Sequence, residues 1–157
     1  GRPGRIAIVA GSMLVRDHVE RRLGFEQVMH AEFPELKLLP PIEGGDEAAR
    51  VDRLLTDQLR EHTDIVGIYS LGGGNRGLRD ALDRAGADPR PMVVVHELTD
   101  QSRVALQDGA FDAVLQQDIR KEVASALVII RNLIEAIPID AQTGLIHTEI
   151  FLRDNLP

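Results

Sequence analysis

Apolar residues recur along this chain in two alternating rhythms. Short, nearly unbroken runs (Ile6 to Ala10, Leu36 to Leu39, Ile65 to Leu71, Met92 to Val95, Ala113 to Leu115) take turns with longer segments whose apolar positions return every three or four residues. Runs with so little polar alternation belong to strands covered on both faces, and the helix-period segments between them supply the cover. The pattern predicts an α/β fold: a flavodoxin-like parallel five-stranded sheet in the order 2-1-3-4-5 with helices on both faces.

The first helix is expected over Val15 to Glu32, with Val15, Val19, Leu23, Phe25, Val28 and Met29 on its inner face. Gly24 lies in its middle at a cost of ~1 kcal/mol relative to alanine, which predicts a close approach to the backbone there. Pro40-Pro41 stop the second strand and favour a sheet edge. Gly44-Gly45-Asp46 supply a turn and an N-cap for a helix reaching about Glu61, and Gly86 closes the helix that carries Leu78, Ala81, Leu82 and Ala85. Thr99 or Asp100 caps one more short helix to Gln107, ended by Asp108-Gly109.

The last third departs from the repeat. Ile119 to Ala136 reads as a helix with Val123, Ala126, Leu127, Ile130, Leu133 and Ile134 in one stripe and Val128 and Ile129 opposite. A helix apolar nearly all round needs cover on two sides, and one sheet offers a single side, so the other is expected to meet a second subdomain or another protomer. Ile146 to Leu152 alternates enough to return as a short extended strand. The chain therefore divides into residues 1–118, the sheet unit, and 119–157, a crossover helix with a returning tail.

Composition narrows the function. The 157 residues suffice for one core, and 27% charged and 43% hydrophobic residues exclude a disordered chain. No apolar run approaches the length of a membrane span, so no membrane partner is expected. A net charge of -7 repels phosphate backbones, so this chain by itself is expected not to bind DNA. The absence of cysteine fits a cytoplasmic location. The abrupt start, Gly1-Arg-Pro-Gly-Arg and then a strand, is the start expected of a piece of something longer.

In parallel sheets, ligands sit beyond the carboxyl ends of the strands. That places the candidates at Gly11 and Ser12, Gly72 to Asn75, His96 and Glu97, and Gln116 to Asp118. Gly72, Gly74 and Gly77 spell G-x-G-x-x-G between a strand and a helix, with Glu97 at the distance of a ribose-binding acid. Against a dinucleotide site, the motif follows the third strand rather than the first. The same glycines would also serve a tight turn with positive φ values, or a turn that touches another ligand. His96-Glu97 has the chemistry of an acid-base pair, and Gln117-Asp118 that of helix-cap residues. Arg21 has the bland reading of a solvated helix residue. The histidines have no metal-ligand spacing, and no nucleophile elbow is present. Neither a metal nor a cofactor is expected.

Several segments together carry a resemblance: Arg5 to Gly11, Arg21-Arg22-Leu23-Gly24-Phe25, Tyr69 to Gly77, Val94-Val95-His96-Glu97-Leu98-Thr99, Asp108-Gly109 followed by Ala113 to Asp118, and Glu149 to Asn155. In order and spacing they resemble the effector-binding core of LacI (lac repressor) family transcription regulators, which is similar to type 1 periplasmic sugar-binding proteins. Such cores have two flavodoxin-like subdomains joined by three crossovers around a sugar or related effector. The resemblance implies that this chain is the C-terminal subdomain of a non-enzymatic sensor, with a homodimer or higher assembly and DNA bound only through a headpiece outside this chain. It implies that Arg21 clamps effector hydroxyls and that Glu97 accepts from them, where the family has an aspartate. His96 stands beside Glu97, and Gln117 and Asp118 stand at the hinge. Where many members have asparagine and aspartate after the third strand, this chain has Leu71 and Gly72, and Asn75 is the substitute on offer. A sugar-binding component of a transporter is the alternative, followed by a dinucleotide-binding oxidoreductase domain.

Overall fold

The computed structural model describes residues 3–157. Strand β1 (Gly4–Ala10) leads to α1 (Arg16–Glu32), β2 (Leu36–Leu38), β3 (Ile42–Glu43), α2 (Ala48–Glu61), β4 (Ile65–Ser70) and α3 (Asn75–Ala85). The chain continues through β5 (Met92–His96), α4 (Asp100–Gln107), β6 (Ala113–Gln116), α5 (Ile119–Ile134) and β7 (Glu149–Phe151). The sheet runs β2-β1-β4-β5-β6-β7, with β3 also on β1. Its five principal parallel strands thus take the expected 2-1-3-4-5 order.

Two additions have local causes. Pro40 and Pro41 interrupt the edge strand but do not end it: Leu39 N–H still donates to Ile6 O at 2.9 Å, and pairing resumes at Val9 with Ile42. The returning tail pairs antiparallel with β6, Leu115 opposite Ile150.

The larger core cluster holds Val9, Val51, Leu55, Ile68, Leu78, Val93, Val95, Leu106 and Val114, joining the sheet to α2, α3 and α4. The smaller one, Ile8, Ala10 and Leu71, packs against Phe25 of α1 and Tyr69. Helices α2 and α3 touch most closely at Gly77, where an added Cβ would lie 1.8 Å from Ala48 O. Gly24, where a close approach was expected, has nothing within 4 Å of such a Cβ. The expectation for Asp46 also changes. Glu47, without a side-chain bond, occupies the N-cap of α2, while Asp46 adopts φ +58° and accepts from Gly73 N–H at 2.7 Å.

The inner face expected for α1 is only partly inner. Met29 is buried, whereas Val15, Leu23 and Val28 are exposed. The cause is topological: right-handed crossovers place α2, α3 and α4 on one face and leave α1 alone on the other. An open apolar groove of about 490 Å³ remains beside α1, floored by Tyr69, Val94 and Leu115. Helix α5 does not fill it. None of its residues is buried, and its main neighbour is the 3-10 turn Ala141–Gly144. No helix among the described residues is long and apolar enough to cross a membrane.

Candidate functional site

The carboxyl ends of β1, β4, β5 and β6 meet at one edge, and Arg21 reaches into that edge from α1. Its Nη1 donates to Leu71 O at 2.5 Å and its Nη2 to Gln117 Oε1 at 2.9 Å, while the Asp17 carboxylate one turn back lies 3.4 Å away. One planar guanidinium thereby ties α1 to the end of β4 and to the start of the crossover. The sequence supplies this geometry simply: Asp17 and Arg21 are four apart on a helix and share a face.

Beside Arg21 is a cavity of about 250 Å³, lined also by His96, Glu97, Thr99, Gln116 and Gln117, with Leu98, Leu115 and Ile119 as its apolar part. Glu97 ends β5 in the left-handed region, φ +72°. Its backbone is held from three sides: its N–H donates to Leu115 O at 2.9 Å, and its carbonyl accepts from Ser102 Oγ at 2.7 Å and Thr99 N–H at 3.0 Å. No hydrogen bond or ion pair among the described residues involves the Glu97 carboxylate. A non-glycine residue in this region stores strain, which persists where the surroundings over-determine it.

His96 is buried at the back of the cavity, its Nε2 2.9 Å from Tyr69 Oη. Burial, helped by Arg21 and then His18, lowers its pKa to about 4, so the ring is neutral near pH 7. Burial likewise raises the Tyr69 phenol. Phe25, Tyr69 and His96 form a tilted aromatic row with centroid spacings of 4.6 and 5.7 Å, joining the apolar groove to the polar cavity.

Of the six residues to which the resemblance points, four, Arg21, His96, Glu97 and Gln117, therefore gather around one cavity. The other two lie elsewhere. Asn75 is turned inward: its Nδ2 donates to His96 O at 3.0 Å and its Oδ1 accepts from Ser70 Oγ at 2.9 Å, stapling β4 to β5. Asp118 caps α5, accepting from the N–H groups of Arg120 and Lys121 at 3.0 and 3.2 Å. Those bonds, with the Lys121 ammonium, hold its carboxyl below the usual range.

Gln116, flagged only by its strand-end position, braces the site. It accepts from Leu98 N–H at 2.6 Å and donates to Gln117 O at 2.8 Å. Tyr69 and Thr99 were not singled out as site residues. The period-two alternation of β4 could have placed Tyr69 opposite buried Ile68 and Ser70, on the α1 side. The glycine turn is occupied by protein. The Asp46 carboxylate takes Gly73 N–H, and an added Cβ on Gly72 would lie 2.7 Å from His18 Nε2. A carboxylate on that amide both uses the donor and repels a phosphate. Among the described residues, no three His, Asp or Glu side chains gather to hold a metal.

A family model described as "Periplasmic binding protein domain" matches residues 1–137. No curated protein sequence matches the chain significantly. Among solved structures, the chain resembles GanP, a glucose-galactose binding protein from Geobacillus stearothermophilus, with a TM-score of 0.89 at 15% identity over 99% of this chain and 55% of that one. It also resembles an ABC transporter solute binding protein from Agrobacterium vitis bound with tagatopyranose (TM-score 0.86, 16% identity, 98% and 51% covered). A third, from Burkholderia graminis in complex with D-arabinose, gives a TM-score of 0.85 at 21% identity over 98% and 54%. The chain spans about half the length of each of these structures.

Proposed function

Because the chain belongs to the periplasmic binding protein domain family, we propose that it is one lobe of a sugar-binding protein, closing on its ligand at the carboxyl ends of β4, β5 and β6. The observation that carries this reading is the convergence of a positioned guanidinium, a free carboxylate and two side-chain amides on one cavity. Alternating donors and acceptors of this kind suit a polyhydroxylated ring, whose hydroxyls both give and take hydrogen bonds. No aromatic side chain lies open in the cavity, so a stacking surface for a sugar would come from an opposing lobe. We read the role as binding without catalysis, with buried His96 hydrogen-bonded to Tyr69.

Of the two whole-protein settings, the solved relatives favour a transporter's sugar-binding component. A regulator of the LacI kind remains the second reading, supported by Arg21 standing three residues before Gly24-Phe25 and by the order of the other matched segments. The setting carries a location with it: outside the cytoplasmic membrane for a transporter component, in the cytoplasm for a regulator. An export signal or a helix-turn-helix in the same gene product would decide between them.

Titration calorimetry of the intact gene product with glucose, galactose, arabinose, allose and tagatose tests the binding claim. Arg21→Ala should weaken binding of the preferred sugar by ~1.5 to 3 kcal/mol, the worth of a charged hydrogen bond. Full affinity in that variant would remove Arg21, and with it this cavity, from the site.

A further inference from the structure

The charges around the cavity are unequal in a way that bears on which sugars fit. Arg21 is its single cationic lining residue among the described residues, and it is shared among the Leu71 carbonyl, the Gln117 amide and the Asp17 carboxylate. Glu97 is its single anionic lining residue, and its carboxylate has no ion pair or hydrogen bond among the described residues. His96 cannot redress the balance, because burial keeps it neutral near pH 7. The strained backbone of Glu97 is pinned by Leu115, Ser102 and Thr99, which fixes where its side chain leaves the chain beside the cavity.

From this asymmetry we infer that Glu97 is a charge filter: the cleft takes neutral or amine-bearing sugars and rejects sugar phosphates and sugar acids. The inference rests on the sugar-binding reading above and names the ligand class for the same cavity. A hydroxyl or ammonium group satisfies the free carboxylate. A phosphate or uronate brought within a few ångströms of it finds repulsion, which the guanidinium, partly balanced by Asp17 at 3.4 Å, offsets incompletely. Two unit charges at such a distance in a partly wet site differ by enough to change affinity by roughly tenfold or more, and salt reduces the difference.

The test uses the intact gene product and the neutral panel of glucose, galactose, arabinose, allose and tagatose. The neutral sugar that binds best is then compared with its amino, uronic-acid and phosphate derivatives at low and at high salt. The expected result is an anionic derivative at least tenfold weaker than its neutral parent at low salt, with the gap narrowing at high salt. Glu97→Gln, which keeps the side chain's shape and hydrogen-bonding reach, should narrow the gap to within about threefold while neutral-sugar affinity falls modestly. Glu97→Gly, which removes the carboxylate and relieves the backbone, should narrow it too, so a folding defect in one variant does not decide the matter. Tighter binding of the phosphate or uronate, or an unchanged gap in both variants, overturns the filter and leaves sugar binding standing. Silence of the whole neutral panel and its derivatives removes the sugar-binding reading and the filter together.

Discussion

His96 shows what one buried ring does to this fold. Its pKa of about 4 lies below the ordinary 6.5, with burial the largest cause, and Arg21 and His18 adding to it against Asp17. The folded state therefore binds fewer protons than the unfolded chain between those values. Its contribution to stability is full above about pH 6.5 and is lost as pH falls toward 4, on the order of 1 to 3 kcal/mol. Urea midpoints for wild type and His96→Asn from pH 7.5 to 4 check this: the wild type should lose its advantage on acidification, and parallel curves would refute it. Two glycines give opposite forecasts. Gly77→Ala drives a Cβ into the Ala48 carbonyl and should cost about 3 kcal/mol or prevent folding. Gly24→Ala meets nothing and should stabilise this chain by ~0.5 to 1 kcal/mol, read from melting curves. The sequence placed Gly24 in the middle of a helix and Gly77 at the end of the glycine turn. Only the crossing of α2 over α3 reveals which one a second backbone touches.

At the level of elements, the apolar rhythms were a sound guide to where strands and helices lie and a poorer one to which helix faces are covered. The short strands were legible because unbroken apolar runs have few other homes in a compact domain. The tail strand β7 was legible as extended, although its antiparallel pairing with β6 depends on contacts distant in sequence. For α1, the periodicity marked an apolar face wider than the part that meets the sheet, so Val28 is left lining the groove and Leu23 exposed. For α5, the all-round pattern led to the expectation that the sheet would cover one side, whereas the helix lies off the sheet and none of its residues is buried. Its exposed Ile119, Val123, Leu127, Ile130, Leu133 and Ile134 should drive self-association of the 157-residue chain, since an apolar surface of that extent seldom stays wet. Sedimentation velocity checks this: Leu127→Glu together with Ile130→Glu should shift the distribution toward monomer, and a wild-type chain that is monomeric at high concentration would refute it.

For the whole molecule, topology and the position of the cavity followed from one rule, that parallel sheets present their ligand sites at the carboxyl edge. That rule pointed to His96, Glu97 and Gln117 before any coordinates, while Arg21, on a helix, came only from the family resemblance. It could not tell that Asn75 and Asp118, equally close to strand ends, are used up by a staple and a cap, because side-chain commitments depend on neighbours that sequence order does not show. The acidic balance of the whole chain carries its own forecast: at ordinary salt the 157 residues should produce no mobility shift of duplex DNA. The placement of α5 off the sheet has a last consequence, for the order in which the molecule opens. Its backbone hydrogen bonds are shielded by no buried side chain, whereas those of β1, β4 and β5 lie inside the core. In deuterated solvent the amides of α5 should exchange through local fraying, orders of magnitude sooner than those of the central strands, which wait for global unfolding.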